Sequence, residues 1–160
     1  MNIFAIDPGY DRCGIAVIEK GSGQKHTLLF SGCVTTEKTD SFEERLNCIY
    51  TECDTVIQKY KPASVALERL FFTNNQRTAM RVAEVRGMLI QLATSNSLPV
   101  HEYTPSQIKV AVAGNGRASK SDIQRMLPLL IAMLHRPHHD DEYDAIAIGL
   151  THLASMRGMH

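Results

Sequence analysis

The stretch NIFAIDPGYDRCGIAVIEK, residues 2–20, decides the fold of this chain. Its first part, NIFAID (2–7), is a short apolar run that ends at an acid and precedes the turn signal Pro8-Gly9, which predicts a buried strand. CGIAVIEK (13–20) predicts a second strand, and HTLLFSGCVTT (26–36) predicts a third. Because the turns between these strands are short, we expect an antiparallel meander.

The rest of the chain alternates between helical and strand patterns. Strands are predicted at SVALE (64–68) and LPVHEY (98–103). Helices are predicted by N-terminal signals and apolar periodicity: one opened by Ser41 with Glu44, one over 75–96, one opened by Thr104 and Pro105, one capped by Ser121 and running to Met133, and one after Pro137. This order predicts an α/β fold with a mixed five-stranded sheet flanked by helices, in a single domain spanning 1–160.

Charge is unevenly distributed along a chain whose net charge is zero. Residues 69–125 hold eight basic and three acidic side chains, a net +5, whereas residues 1–68 carry a net −3 and residues 126–160 a net −2. This distribution is typical of a basic binding surface beside an acidic centre.

The cysteines and the N-terminus predict the compartment. Cys13, Cys33, Cys48 and Cys53 show no CxxC spacing, and MNIFAID has no features of a signal peptide. No apolar run approaches the roughly 20 residues that cross a bilayer. We therefore expect a cytoplasmic protein with reduced thiols and no membrane role.

Two acids end predicted strands. Asp7 and Glu68 each occupy the last position of an apolar run. Ligands of open α/β sheets gather beyond the carboxyl ends of the strands, so these carboxylates could meet if their strands are neighbours. A strand-end acid can also simply cap a turn.

Further acids cluster in HHDDEYD, residues 138–144, at the start of the last predicted helix. Asp141 and Asp144 lie three residues apart, about 60° around a helix, and can point to one spot. Asp140 and Asp144, four apart, can do the same, so periodicity does not choose between Asp140 and Asp141. Glu142 faces about 160° away from Asp144. The cluster can also serve as an N-cap that complements the helix dipole.

Carboxylates brought together in this way require a neutralising cation. Hard oxygen ligands suit Mg²⁺ or Mn²⁺, and two such ions about 4 Å apart can activate water and stabilise a leaving oxygen. His135, His138 and His139 suggest zinc as an alternative, but no Cys or acid stands at zinc-site spacing. We interpret them as loop histidines, with His139 able to influence the neighbouring carboxylates.

Five segments, in order and spacing, resemble the RuvC family of Holliday junction resolvases over residues 2–152: IDPGYDRCG, ALERLFFTNN, AEVRG, QIKVAVAGNGRASKSDIQRML and DEYDAIAIGLTH. The resemblance implies a ribonuclease H-like fold and a homodimer that nicks two opposed strands of a four-way DNA junction, leaving ligatable ends. It implies Mg²⁺, with Mn²⁺ as a substitute and two ions per active site, and the RuvA/RuvB branch-migration complex as a partner.

The family motifs imply particular site residues. Asp7, Glu68, Asp141 and Asp144 match the catalytic, metal-binding acids, because the family spaces its last two acids three apart. Lys109 and Lys120 match lysines close to the scissile phosphate. Phe71, with Phe72 as the weaker candidate, matches an aromatic wedge in the junction centre, although both could be core residues. Further DNA-binding candidates are basic: Arg77, Arg81, Arg117 and Arg125.

Three other functions compete with this one. An actin-like ATPase also carries D-x-G after a strand, but it pairs two domains, for which 160 residues are too few. A catalytically silent junction-binding module would not need all four acids. Another ribonuclease H-like nuclease could act on RNA hybrids or transposon ends. The long helix over 75–96 could bury one face against a second subunit, or pack only on its own sheet.

Overall fold

The computed structural model describes residues 1–22, 25–70 and 76–157. Strands and helices alternate along these ranges in the order β1 (Asn2–Asp7), β2 (Arg12–Glu19), β3 (His26–Thr35), α1 (Phe42–Tyr60), β4 (Ser64–Glu68), α2 (Gln76–Ser95), β5 (Val100–Tyr103), α3 (Pro105–Ala113), α4 (Lys120–Leu130), β6 (Ile131–Met133) and α5 (Asp140–Arg157).

The strands form one mixed sheet in the order β5-β4-β1-β2-β3-β6. β1, β2 and β3 are antiparallel neighbours, and β4 and β5 run parallel to β1, which confirms the predicted meander and mixed sheet. The predicted number of five strands is wrong, because Ile131–Met133 forms a sixth strand, β6, parallel to β3.

The missed strand reflects an error in the helix that precedes it. α4 ends at Leu130 rather than at Met133, and Ile131 is already extended, with φ −132° and ψ 140°. Pro128 lies in the last turn and lacks the N–H group that would continue the helical hydrogen bonds. The helix also begins earlier than predicted, since its N-cap is Ser119, which shares a capping box with Asp122, and not Ser121.

Helices cover both faces of the sheet. Alternate residues of β1 point to opposite sides: Ile3 and Ala5 pack with α3, α4 and α5, whereas Phe4 and Ile6 pack with α1 and α2. Because both faces are covered, β1 and β2 are apolar throughout their buried parts.

Helix α5 approaches the sheet very closely at two glycines. A Cβ atom on Gly14 of β2 would lie 2.0 Å from the carbonyl oxygen of Asp141, and one on Gly149 would lie 2.7 Å from Ile18 Cδ1. At Gly14 the nearest atoms belong to the backbone, so only glycine permits this contact, which brings the first turn of α5 beside the end of β1. Neither α5 nor any other helix in the described ranges combines the length and apolar character needed to cross a membrane.

Candidate active site

A cavity of about 240 Å³ opens at the carboxyl ends of β1 and β4. Its polar walls are Asp7, Glu68, Lys109, Lys120 and Asp144, and its apolar walls are Pro105, Ile108, Ile123, Ala147 and Ile148. β1 and β4 are parallel neighbours, with Ile6 opposite Leu67, so their terminal acids meet at one edge of the sheet. Five of the six residues predicted to be catalytic thus share one cavity.

The carboxylates in this cavity repel one another. Burial, and then the negative charges of Glu68, Asp144 and Asp141, raises the pKa of Asp7 to about 7. Burial and the charge of Asp144 raise the pKa of Glu68. Burial also raises the pKa of Asp144, although Lys120 opposes that shift. Because burial and mutual repulsion disfavour the ionised form of these acids, the site favours a bound cation.

Lys120 supplies positive charge to this cluster. Its Nζ lies 2.8 Å from Asp144 Oδ2 and 3.7 Å from Asp140 Oδ2. Partial burial lowers the pKa of Lys120, but the hydrogen bond and charge of Asp144 outweigh burial, and the net shift is upward. Lys109 of α3 lines the same cavity.

The first two acids of α5 lie in different environments. Asp141 is half-buried, and its Oδ2 lies 3.2 Å from Arg12 Nε. Asp140 is exposed and accepts a hydrogen bond of 3.0 Å from Gln124 Nε2. Asp141 does not line the cavity, but its charge acts on both Asp7 and Asp144.

Glu142 faces away from the site, as its position in the helix predicted, and it caps the start of α5. It is only 3% exposed and accepts hydrogen bonds from the backbone N–H groups of His138 and His139 and from Ser31 Oγ. Burial opposes ionisation, but these hydrogen bonds outweigh it and lower the pKa of Glu142.

The loop histidines lie on the surface. His135, His138 and His139 are all exposed, and His135 Nε2 lies 3.0 Å from Ser31 Oγ. The charge of His139 acts on Glu142 and favours its ionised form.

The predicted DNA-binding arginines do not line the cavity. Arg77, Arg117 and Arg125 are exposed, and Arg125 pairs with Asp122. Arg81 is half-buried, pairs with Glu84 at 3.1 Å and stacks over the ring of Phe42 at 3.9 Å. Phe71 and Phe72, the predicted wedge residues, lie outside the described residues.

The residues present fit a hard divalent cation. Their donors are carboxylate oxygens, the ligands that Mg²⁺ and Mn²⁺ prefer, and burial together with mutual repulsion gives the cluster a need for positive charge. In the described ranges, no three His, Cys, Asp or Glu side chains converge tightly enough to hold an ion as they stand. Lys120 pairs with Asp144 and Arg12 pairs with Asp141, so each of these carboxylates already has a cationic partner before an ion binds.

Two contacts of Asp141 were not predicted from the sequence. Arg12 pairs with Asp141 Oδ2, and the thiol of Cys33 donates to the same oxygen at 3.8 Å. The sequence could have placed Arg12 near Asp7, because the tight hairpin after Asp7 returns the chain to the same end of the sheet. The choice of Asp141 as its partner depends on how α5 packs, which no local pattern specifies.

Comparison with known proteins gives a consistent result. The family model for crossover junction endodeoxyribonuclease RuvC matches residues 3–152. Proteins of that name from Pseudothermotoga lettingae and Petrotoga mobilis are 41% and 42% identical to the chain, which covers 94% and 93% of their lengths. The alignments take in 96% and 95% of this chain.

Solved structures agree with the sequence relatives. RuvC of T. thermophilus in complex with Holliday junction substrate superposes with a TM-score of 0.91 at 30% identity, covering 99% of this chain and 96% of that one. The yeast mitochondrial resolvase Ydc2 shares the fold, with a TM-score of 0.72 at 13% identity over 98% of this chain and 80% of its own. The carboxylate cavity, the family match over residues 3–152 and these superpositions show that the chain belongs to the RuvC family of crossover junction endodeoxyribonucleases.

Proposed function

We propose that this protein resolves four-way (Holliday) DNA junctions by nicking two opposed strands at symmetric positions, in homologous recombination and DNA repair. The observation that carries the proposal is the cavity that joins Asp7, Glu68 and Asp144 with Lys109 and Lys120 at one edge of the sheet. The likeness to T. thermophilus RuvC, solved in complex with Holliday junction substrate, supports a four-way junction as the substrate.

Membership of the family implies dependence on a divalent metal. We propose Mg²⁺, with Mn²⁺ as a substitute and two ions per site, held by Asp7, Glu68, Asp141 and Asp144. Bound there, the ions would activate water and stabilise the oxygen that leaves phosphorus. Asp7 and Glu68 are held by strands that are hydrogen-bonded to each other, so their carboxylates are positioned before any ion or DNA arrives.

The lysines act on the phosphate. Lys120 Nζ lies 2.8 Å from Asp144, so it sits at the rim of the ligand set and can turn from that carboxylate to a phosphate oxygen. Lys109 of α3 lines the same cavity. Two ammonium groups in this cavity would offset the charge that builds on the phosphate during strand cleavage.

The wider DNA surface is basic. Arg77, Arg117 and Arg125 are exposed and are proposed to contact backbone phosphates, as is Arg81 once it exchanges Glu84 for DNA. Phe71, or Phe72 beside it, is proposed to stack on an unpaired base at the junction centre, worth about 1–3 kcal/mol.

Two opposed nicks require two active sites, so we propose a homodimer in which residues 1–160 form one nuclease domain per subunit. One feature of α2 supports its use as an interface. Val85, Leu89 and Leu92 are buried against the sheet, whereas Met80 is 67% exposed on another face of the helix.

The RuvA/RuvB branch-migration complex is proposed as a partner. The cytoplasm is proposed as the compartment, consistent with four free cysteines.

A substrate panel tests this function. The protein is incubated with strand-labelled four-way junction, linear duplex and RNA/DNA hybrid, each with Mg²⁺ and with EDTA. We expect Mg²⁺-dependent nicking of the junction alone. Comparable cleavage of the hybrid would show another ribonuclease H-like nuclease, and metal-independent nicking would contradict the proposed ligand set.

A further inference from the structure

Arg12 is in contact with the candidate active site but matches none of the residues expected to act there. It is the first residue of β2, and its side chain is 56% exposed. Its Nε lies 3.2 Å from Asp141 Oδ2, and Cys33 Sγ donates to that same oxygen at 3.8 Å. Two donors on Oδ2 fix the plane of the carboxylate and leave the other oxygen for a further partner.

The contact between Arg12 and Asp141 is held by the backbone on both sides. β2 pairs with β1 and with β3, where Arg12 lies opposite Thr35. The first turn of α5 packs against Gly14, two residues further along β2, so closely that a Cβ there would lie 2.0 Å from the Asp141 carbonyl oxygen. The geometry of the ion pair therefore follows from the packing of α5 on the sheet, and not from a chance meeting of long side chains.

Arg12 and Lys120 stand in equivalent relations to the two acids of α5. Lys120 pairs with Asp144 and is 50% exposed, and Arg12 pairs with Asp141 and is 56% exposed. Each of these side chains thus pairs with a carboxylate of the site and is still partly exposed to solvent. A guanidinium, unlike an ammonium, can use Nε for one partner and its two Nη groups for another.

We propose that Arg12 is an additional DNA-contacting residue: Nε pairs with Asp141 while the Nη groups bind a phosphate oxygen of the DNA strand beside the site. This inference rests on the proposed function, since it assigns a phosphate of that substrate to Arg12. It also explains why an arginine at the start of β2 is compatible with a metal site. Its charge opposes cation binding before DNA arrives and is matched by the phosphate afterwards.

The proposal predicts effects of opposite sign on metal and on DNA. Without Arg12, one positive charge near the carboxylates is lost, so Mn²⁺ should bind the free protein about fivefold more tightly. Loss of one phosphate contact should lower the slope of log K against log salt for junction binding by about 0.9. A residue that served only to hold Asp141 in place would do the reverse, weakening Mn²⁺ binding and leaving the slope unchanged.

The test compares Arg12→Ala and Arg12→Lys with the wild type. Mn²⁺ affinity is measured by titration calorimetry on the full chain without DNA. Junction affinity is measured between low and moderate KCl in an Asp7→Asn background, which leaves the substrate uncut. The matched control is Lys59→Ala, which removes an exposed cation beside Tyr60, at the end of the sheet where β1 begins.

We expect Arg12→Ala to bind Mn²⁺ more tightly and to lose salt slope, Arg12→Lys to recover the slope, and Lys59→Ala to match the wild type in both measurements. Unchanged values, or weaker Mn²⁺ binding with an unchanged slope, in Arg12→Ala overturn the inference while the proposed function stands. If the wild type binds neither Mn²⁺ nor the junction, the proposed function fails, and the inference fails with it.

Discussion

Replacing Gly14 by alanine tests whether the contact between α5 and β2 sets the geometry of the site. The added Cβ would lie 2.0 Å from the Asp141 carbonyl oxygen and 2.5 Å from its carbonyl carbon. Heavy atoms at a Cβ do not normally approach closer than about 3 Å, so the first turn of α5 must move away by roughly 1 Å. Both neighbours are backbone atoms, and no side-chain rotation relieves the clash.

Two magnitudes follow from that displacement. Overpacking in a close-packed core costs about 1–3 kcal/mol in the free energy of unfolding. Misplacement of catalytic groups by about 1 Å costs on the order of 100-fold in rate. We therefore expect Gly14→Ala to fold with reduced stability and to nick four-way junctions about 100-fold more slowly than the wild type.

The matched control is Gly87→Ala in α2. A Cβ on Gly87 meets nothing within 4 Å, and alanine is the better helix former. This variant should be more stable than the wild type by about 0.5–1 kcal/mol. Both variants are measured by urea unfolding and by nicking of labelled junction. Wild-type stability and rate in Gly14→Ala would refute the close packing of α5 on β2 as the basis of the site.

Three further predictions concern single residues. His152 is 2% exposed, and burial, followed by the charge of His101, lowers its pKa from 6.5 to about 4. Since the folded pKa lies below the unfolded one, the contribution of His152 to the free energy of unfolding should fall as pH drops from 6.5 to 4, by about 2 kcal/mol after allowance for solvent screening, and the difference between the wild type and His152→Gln should change by that amount in urea titrations at several pH values. Asp141→Asn should abolish detectable nicking and retain junction binding, whereas Asp140→Asn should cut within a few-fold of the wild type; equal losses would contradict the choice of Asp141 as ligand. Ser119→Ala removes the N-cap of α4 and should cost about 1 kcal/mol in thermal unfolding, with no loss if the cap were at Ser121.

Most of the sheet could be predicted because its strands carry their own signals. β1 and β4 are apolar runs that end at acids, and a turn signal separates β1 from β2. β6 carries no such signal, since three residues become a strand only by pairing with β3. The start of α4 was ambiguous for a different reason. Ser119 precedes Asp122 by three residues and Ser121 precedes Gln124 by three, so both fit a capping box.

Some residues of the candidate site could be predicted from local sequence, whereas others depend on tertiary packing. Asp7 and Glu68 were predictable as a pair because parallel strands bring their carboxyl ends to one edge. Helix periodicity left Asp140 and Asp141 equal, and only packing separates them: Asp141 is half-buried beside Arg12, and Asp140 is exposed beside Gln124. The ion pair with Arg12 joins residues far apart in sequence and has no local signature.

The central claim is that the protein makes paired, symmetric nicks in a four-way junction. The most direct measurement maps the cuts on a junction labelled in turn on each of its four strands, with Mg²⁺ and purified protein, followed by ligation of the products. The account predicts nicks at the same position on two opposed strands, absent in Asp7→Asn, and duplex products that DNA ligase seals without further processing. Cuts confined to one strand, cuts at unrelated positions, or ends that ligase does not join would contradict it.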